Sequence, residues 1–137
     1  QSKRKPKKIV SKPKPKVKPH ITALKELENL KLKKLWQNGQ IKQYYSELTD
    51  ILRIYIDGRF GINAMEMISS DIIRELNDNN LDNKLMKELE QTLTTADLVK
   101  FAKMEPFPDA HDRCFQQAID FVKSTAETTE TQNSTQH

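Results

Sequence analysis

From Ile21 to Val122 the apolar residues return at helical spacing, and the period-2 alternation of a half-buried strand is missing throughout. That pattern predicts an all-α fold, a bundle of four to five helices. The first helix is expected over about Ile21 to Gln37, with Leu24, Leu27, Leu30 and Leu35 inward and Trp36 near its end, stopped by Asn38-Gly39. The second, from Gln40 to Phe60, carries Ile41, Tyr45, Leu48, Leu52 and Tyr55 on one stripe. Tyr44, Ile51, Ile54 and Ile56 widen that stripe. A helix apolar over so much of its circumference belongs at the centre, and Gly61 can close it. A short element over Ser70 to Leu76 has Ser69 or Ser70 as its cap, and Asn77 to Asn80 reads as loop. Asp82 then caps a helix through Leu85, Leu89, Leu93 and Ala96, which continues or restarts through Leu98, Phe101 and Ala102. Pro106 and Pro108 interrupt. A last helix from near Asp109 presents Cys114, Ala118, Phe121 and Val122, flanked by Phe115 and Ile119.

The charge is divided as sharply as the hydropathy. Nine basic residues (Lys3, Arg4, Lys5, Lys7, Lys8, Lys12, Lys14, Lys16 and Lys18) precede the first acid, Glu26. Subtracting them from 23 leaves 14 basic residues against 19 acidic ones, so the formal +4 divides into a +9 arm and a remainder of −5. Like charges, prolines and only Ile9, Val10 and Val17 to bury keep residues 1–19 from folding alone. Lys12-Pro13-Lys14-Pro15-Lys16 favours an extended polyproline-like spacer. The Thr/Gln/Ser/Asn-rich end, 127–137, is expected to fray. The division is therefore a disordered basic arm at 1–19, a helical domain at 20–126 and a disordered polar tail at 127–137.

Candidate chemistry is sparse. Cys114 is the single cysteine, which excludes an intramolecular disulfide. His111 and Cys114 at i, i+3 share a helical face with Asp112 nearby, but Cys114 falls in the apolar stripe and reads as a small core residue. The pairs Glu26/Glu28 and Glu88/Glu90 diverge around their helices instead of converging in a cleft, and read as solvated faces. Gly58-Arg59-Phe60-Gly61 is no phosphate loop. Tyr44, Tyr45 and Tyr55 with Trp36 read as core before they read as a base-stacking platform. Arg53 can pair with Asp50 or Asp57, and Arg59 can support last-turn carbonyls. The expectation is a non-enzyme with no catalytic residue, cofactor or metal. Asp97 and Lys100 flank Leu98-Val99-Phe101, which reads first as a packed turn. With Arg53 and Arg59 these two are the candidate partner-docking residues.

Three stretches carry a family resemblance. They are Gly39 through Tyr44-Tyr45, Leu48, Leu52-Arg53, Tyr55 and Arg59-Phe60-Gly61-Ile62; Ala64-Met65-Glu66-Met67; and Ala96-Asp97-Leu98-Val99-Lys100-Phe101-Ala102 with Pro106 behind it. Over residues 20 to 125 the chain resembles the cytoplasmic helical domain of small bacterial membrane proteins encoded beside MoxR-type AAA ATPases and von Willebrand factor A proteins, as in the Bat aerotolerance clusters. That resemblance implies an interaction domain without catalytic residues, docking an AAA ATPase or a von Willebrand factor A protein. It also implies a transmembrane segment upstream of Gln1, anchoring the domain at the cytoplasmic face of the bacterial inner membrane. A basic stretch after a span keeps that side cytoplasmic. The nine arm cations would also be drawn to anionic lipid, at about 1 kcal/mol each close to the surface. The alternative is salt-sensitive nucleic-acid binding through the same arm, against which stand the acidic remainder and the absence of arm aromatics.

Overall fold

The computed structural model describes residues 17–127. Of the nine arm cations only Lys18 falls within them; the others, and the tail beyond residue 127, lie outside the described residues.

Helix α1 spans Pro19–Lys33. Pro19, assigned to the arm on sequence grounds, opens the helix instead, because its fixed φ suits a first helical position that needs no N–H. The helix also ends four residues before the expected Gln37. Lys34 takes a left-handed φ of 52° and donates its N–H to Lys31 O, so the chain leaves the axis early. The turn then carries Leu35 inward and sets Trp36 against His111, ring centroids 5.0 Å apart. Gly39, at φ 84°, completes the reversal, and Gln40 N–H reaches back to Leu35 O at 2.8 Å.

Helix α2, Ile41–Phe60, is closed by Gly61 in the left-handed region, its N–H on Asp57 O. A 3₁₀ turn at Ala64–Glu66 leads to α3, Ser69–Leu76, whose start has no side-chain cap. The expected serine cap is therefore not made: Ser69 Oγ is buried without a partner. A second 3₁₀ turn, Asn77–Asn79, is followed by Asn80 at φ 55°. Helix α4, Asn83–Ala102, begins as expected, with Asp82 accepting from Leu85 N–H at 3.1 Å. It runs without a restart. Lys103 in the left-handed region ends it, and α5, Pro108–Thr125, again opens on a proline. Among the described residues no strand occurs.

Helix α2 is central, packed by α1, α4 and α5. Helix α1 runs antiparallel to it. Lys33 pairs with Glu47 at 2.7 Å near one end; at the other, Gly58 admits Pro19 so closely that a Cβ there would meet the ring at 3.2 Å. Helix α5 runs parallel to α2, since Tyr44 reaches His111 and Tyr55 reaches Val122. Helix α4 returns antiparallel to α5, with Thr92 on Gln117 and Thr95 facing Cys114. Leu27, Leu48, Leu52, Ile56, Ile72, Leu89, Leu93 and Phe121 fill the space between. Ile54, expected inward, is 56% exposed because it falls on the open side of the groove between α1 and α2. The contacts of Pro19 with Gly58 and of Arg59 with Thr125 place both ends of the described chain at one end of the bundle. The α1–α2 and α4–α5 turns lie at the other. A helix as long as α4 separates the two by about 30 Å.

Candidate functional site

The residues with the most chemistry are drawn into helix packing. Tyr44 donates its hydroxyl to His111 O at 2.9 Å, and the Tyr45 hydroxyl meets His111 Nδ1 at 2.7 Å. Trp36 and both tyrosines surround the imidazole, which is 2% exposed. Further along the same seam Thr125 donates to Phe121 O, so its oxygen accepts from the Tyr55 hydroxyl at 2.7 Å. Arg59 Nε donates to Thr125 O at 2.6 Å. Arg59 thus supports a last-turn carbonyl of α5, not one of its own helix, because the parallel register of α2 and α5 brings that carbonyl alongside.

Burial pushes the Tyr44 and Tyr45 hydroxyls and the Cys114 thiol up, and the His111 imidazole down. All four are held in their neutral forms near pH 7. A thiol so held is a poor nucleophile and a poor metal ligand. Among the described residues no group of His, Cys, Asp or Glu is arranged to hold a metal ion. His111 is a core residue, carried inside by the first turn of α5.

The α2–α4 seam is different. Lys100 lies within electrostatic reach of Arg53, Asp97 and Asp50, so three of the four candidate docking residues come together; Arg59 is elsewhere. Burial, then the Arg53 charge, pushes the Lys100 ammonium down. Lys100 Nζ donates to Thr49 Oγ1 at 3.3 Å. Arg53 forms no ion pair with Asp50 or Asp57, and its Nε is buried without a partner. The α4 stretch read as a packed turn is packed only at Val99. Leu98 is 40% exposed and Phe101 78%, with the Lys100 ammonium 5.5 Å from the Phe101 ring. The reason lies in the helix ending: the α4 axis stops at Ala102, and among the described residues no element lies over the outer side of its last turn. Asp97 also lines a small depression of about 220 Å³ with Ile68 and Ser69 at the start of α3.

No family model, curated protein or solved structure matches the chain. Among the described residues no helix is long and apolar enough to cross a membrane.

Sequence reasoning missed two further surface features. Phe107 is 82% exposed in the α4–α5 turn, and an apolar groove opens between α1 and α2. The signal for the first was its place between Pro106 and Pro108, where neither neighbour can extend a helix toward it. The groove depends on how far α1 tilts from α2, which periodicity does not encode.

Proposed function

We propose that this chain is a non-catalytic interaction domain, an adaptor that presents the outer face of α4 to a protein partner. The observation that carries the reading is Phe101, an aromatic ring 78% exposed on a helix, with the exposed Leu98 one turn before it and the Lys100 ammonium 5.5 Å from its ring. Aromatic side chains are enriched where interface energy concentrates. The polar chemistry elsewhere is internal, holding α2 to α5, and offers little to a substrate.

The resemblance supplies the setting. The basic arm follows a transmembrane segment, the domain sits at the cytoplasmic face of a bacterial inner membrane, and the partner is a MoxR-type AAA ATPase or a von Willebrand factor A protein. The placement of the termini supports this arrangement. The arm leaves from one end of the bundle while Phe101 and Phe107 stand toward the other, some 30 Å away along α4. A tether at one end leaves the other end free for contact.

The test is retention of the neighbouring gene products on the intact protein at physiological salt, with and without nucleotide. Wild type is expected to hold one of them, and Phe101→Ala, a change at a 78% exposed position, is expected to lose it with the melting temperature barely moved. Retention of none in either nucleotide state would sink the proposal. Full retention by Phe101→Ala would move the interface off α4.

A further inference from the structure

The groove between α1 and α2 holds about 400 Å³, within the ~300–1,000 Å³ of ordinary ligand pockets. Ala23 and Ile51 line it, and Ile54, 56% exposed, stands open to solvent on its α2 side. Contacts between the two helices bound it at either end. At one, Pro19 packs on Gly58, where Val17 also lines the groove. Beyond the other, the Lys33–Glu47 ion pair crosses from α1 to α2 at 2.7 Å.

The groove is polarised along its length. Because α1 and α2 run antiparallel, Glu26 of α1 and Asp50 of α2 fall at the same end, and both also line the depression that continues toward Lys33 and Glu47. From Ala23 and Ile51 to Gly58 the lining carries no further charge. Neither carboxylate enters an ion pair among the described residues, although Asp50 lies within electrostatic reach of Lys100.

That charge pattern selects the occupant. An uncharged apolar body laid in the groove would strip water from two carboxylates and give nothing in exchange. An anionic one would be repelled. A ligand that brings its own cation meets neither objection. We propose that the α1–α2 groove binds a small amphiphilic cation, its ammonium head between Glu26 and Asp50 and its apolar body along Ile51 and Ile54 toward Gly58. From Asp50 to Gly58 is about 12 Å along α2 at ~1.5 Å per residue, which sets the length of body that fits. Phe101 does not line this site, and the proposal is independent of any partner on α4.

The experiment titrates octylammonium and octanesulfonate, one apolar chain with opposite heads, into the full chain below their micellar concentrations. The basic arm draws the sulfonate elsewhere, so binding is read from the amide shifts of Ala23, Ile51 and Ile54. Octylammonium is expected to shift all three saturably, with Leu98 and Phe101 unmoved, and to bind there about tenfold or more tighter than the sulfonate. Glu26→Gln with Asp50→Asn, both at exposed positions, should abolish that preference and leave the melting temperature unchanged. Ile54→Ser, also at an exposed position, should weaken octylammonium severalfold. No saturable shift, equal affinity for the two heads, a preference that survives the double change or an affinity indifferent to Ile54→Ser would overturn the proposal. So would shifts of the same three residues on concentrating the protein alone, which would assign the groove to a second copy.

Discussion

The α2–α5 seam and the outer face of α4 carry similar residue types and use them in opposite ways. On the seam, Tyr44, Tyr45, Tyr55, His111 and Phe121 are each 3% exposed or less, and the tyrosine hydroxyls have partners on α5. On α4, Phe101 and Leu98 face outward, and across the α2–α4 seam Arg53 keeps a buried nitrogen unpaired. A parallel helix pair has no short turn to fix its register, so side chains must do it. That is a structural reason for the Tyr-Tyr…Arg-x-Tyr…Arg-Phe-Gly run. The residues that look most like chemistry in this sequence are therefore fold determinants, and those that look most like packing at Leu98 and Phe101 are surface.

The sharpest test of that contrast is Phe121→Ala. The ring is fully buried, edge-on to Tyr55 at 6.1 Å and tilted against Phe60 at 6.3 Å. Its removal should cost about 3–5 kcal/mol, read as a fall in the urea midpoint with little change in slope. A loss under about 1 kcal/mol, the range of surface changes, would mean that the seam is not where α5 is held.

Tyr45→Phe is the next largest. It leaves His111 Nδ1 buried without its 2.7 Å partner while keeping the ring, so about 1–3 kcal/mol should be lost. The double change with His111→Phe should recover part of that loss, because no orphaned polar atom remains. Equal losses in the single and double variants would show that the orphaned imidazole nitrogen is not what costs the stability.

The pH dependence follows from the same imidazole. Burial holds the folded His111 below its usual 6.5, although Asp112 and Asp109 pull the other way. The unfolded chain therefore binds the proton first. Stability is full above about 6.5 and falls as the pH drops through the folded value. His111→Gln should flatten the part of the urea midpoint's slope between pH 7 and 5 that belongs to this site. An unaltered slope would assign the titration elsewhere.

How much of this was legible in advance depends on whether the deciding force is local. The helices were, since Leu24 through Leu35, Ile41 through Tyr55 and Cys114 through Val122 show their period without any partner. So were the Asp82 cap and the Gly61 stop, because each acts within a few residues. The destination of Arg59 was not: the carbonyl it serves is 66 residues away, and only the parallel register brings it near. The exposure of Ile54, Leu98 and Phe101 failed for a related reason. Their helical positions permit packing, but whether a neighbouring helix arrives is a tertiary fact. Of the candidate docking residues, Asp97 and Lys100 share a helix turn on inspection, whereas their meeting with Arg53 depends on the α2–α4 pairing.

The smallest expected change in stability is the one that matters most for the proposed role. Phe101→Ala removes a ring that is 78% exposed and touched by the Lys100 ammonium at 5.5 Å. An exposed cation–π contact is worth about 0.5–1 kcal/mol, and alanine's better helix propensity returns up to ~0.7 kcal/mol of it. The melting temperature should therefore barely move, while partner retention should drop by about tenfold or more, as for an aromatic anchor. Set beside Phe121→Ala, the same deletion of a phenyl ring then separates the two regions: one loses the fold and the other loses the partner. If Phe101→Ala instead destabilised the domain by several kcal/mol, the ring would be covered in solution. If it left both stability and retention intact, the outer face of α4 would have no part in binding.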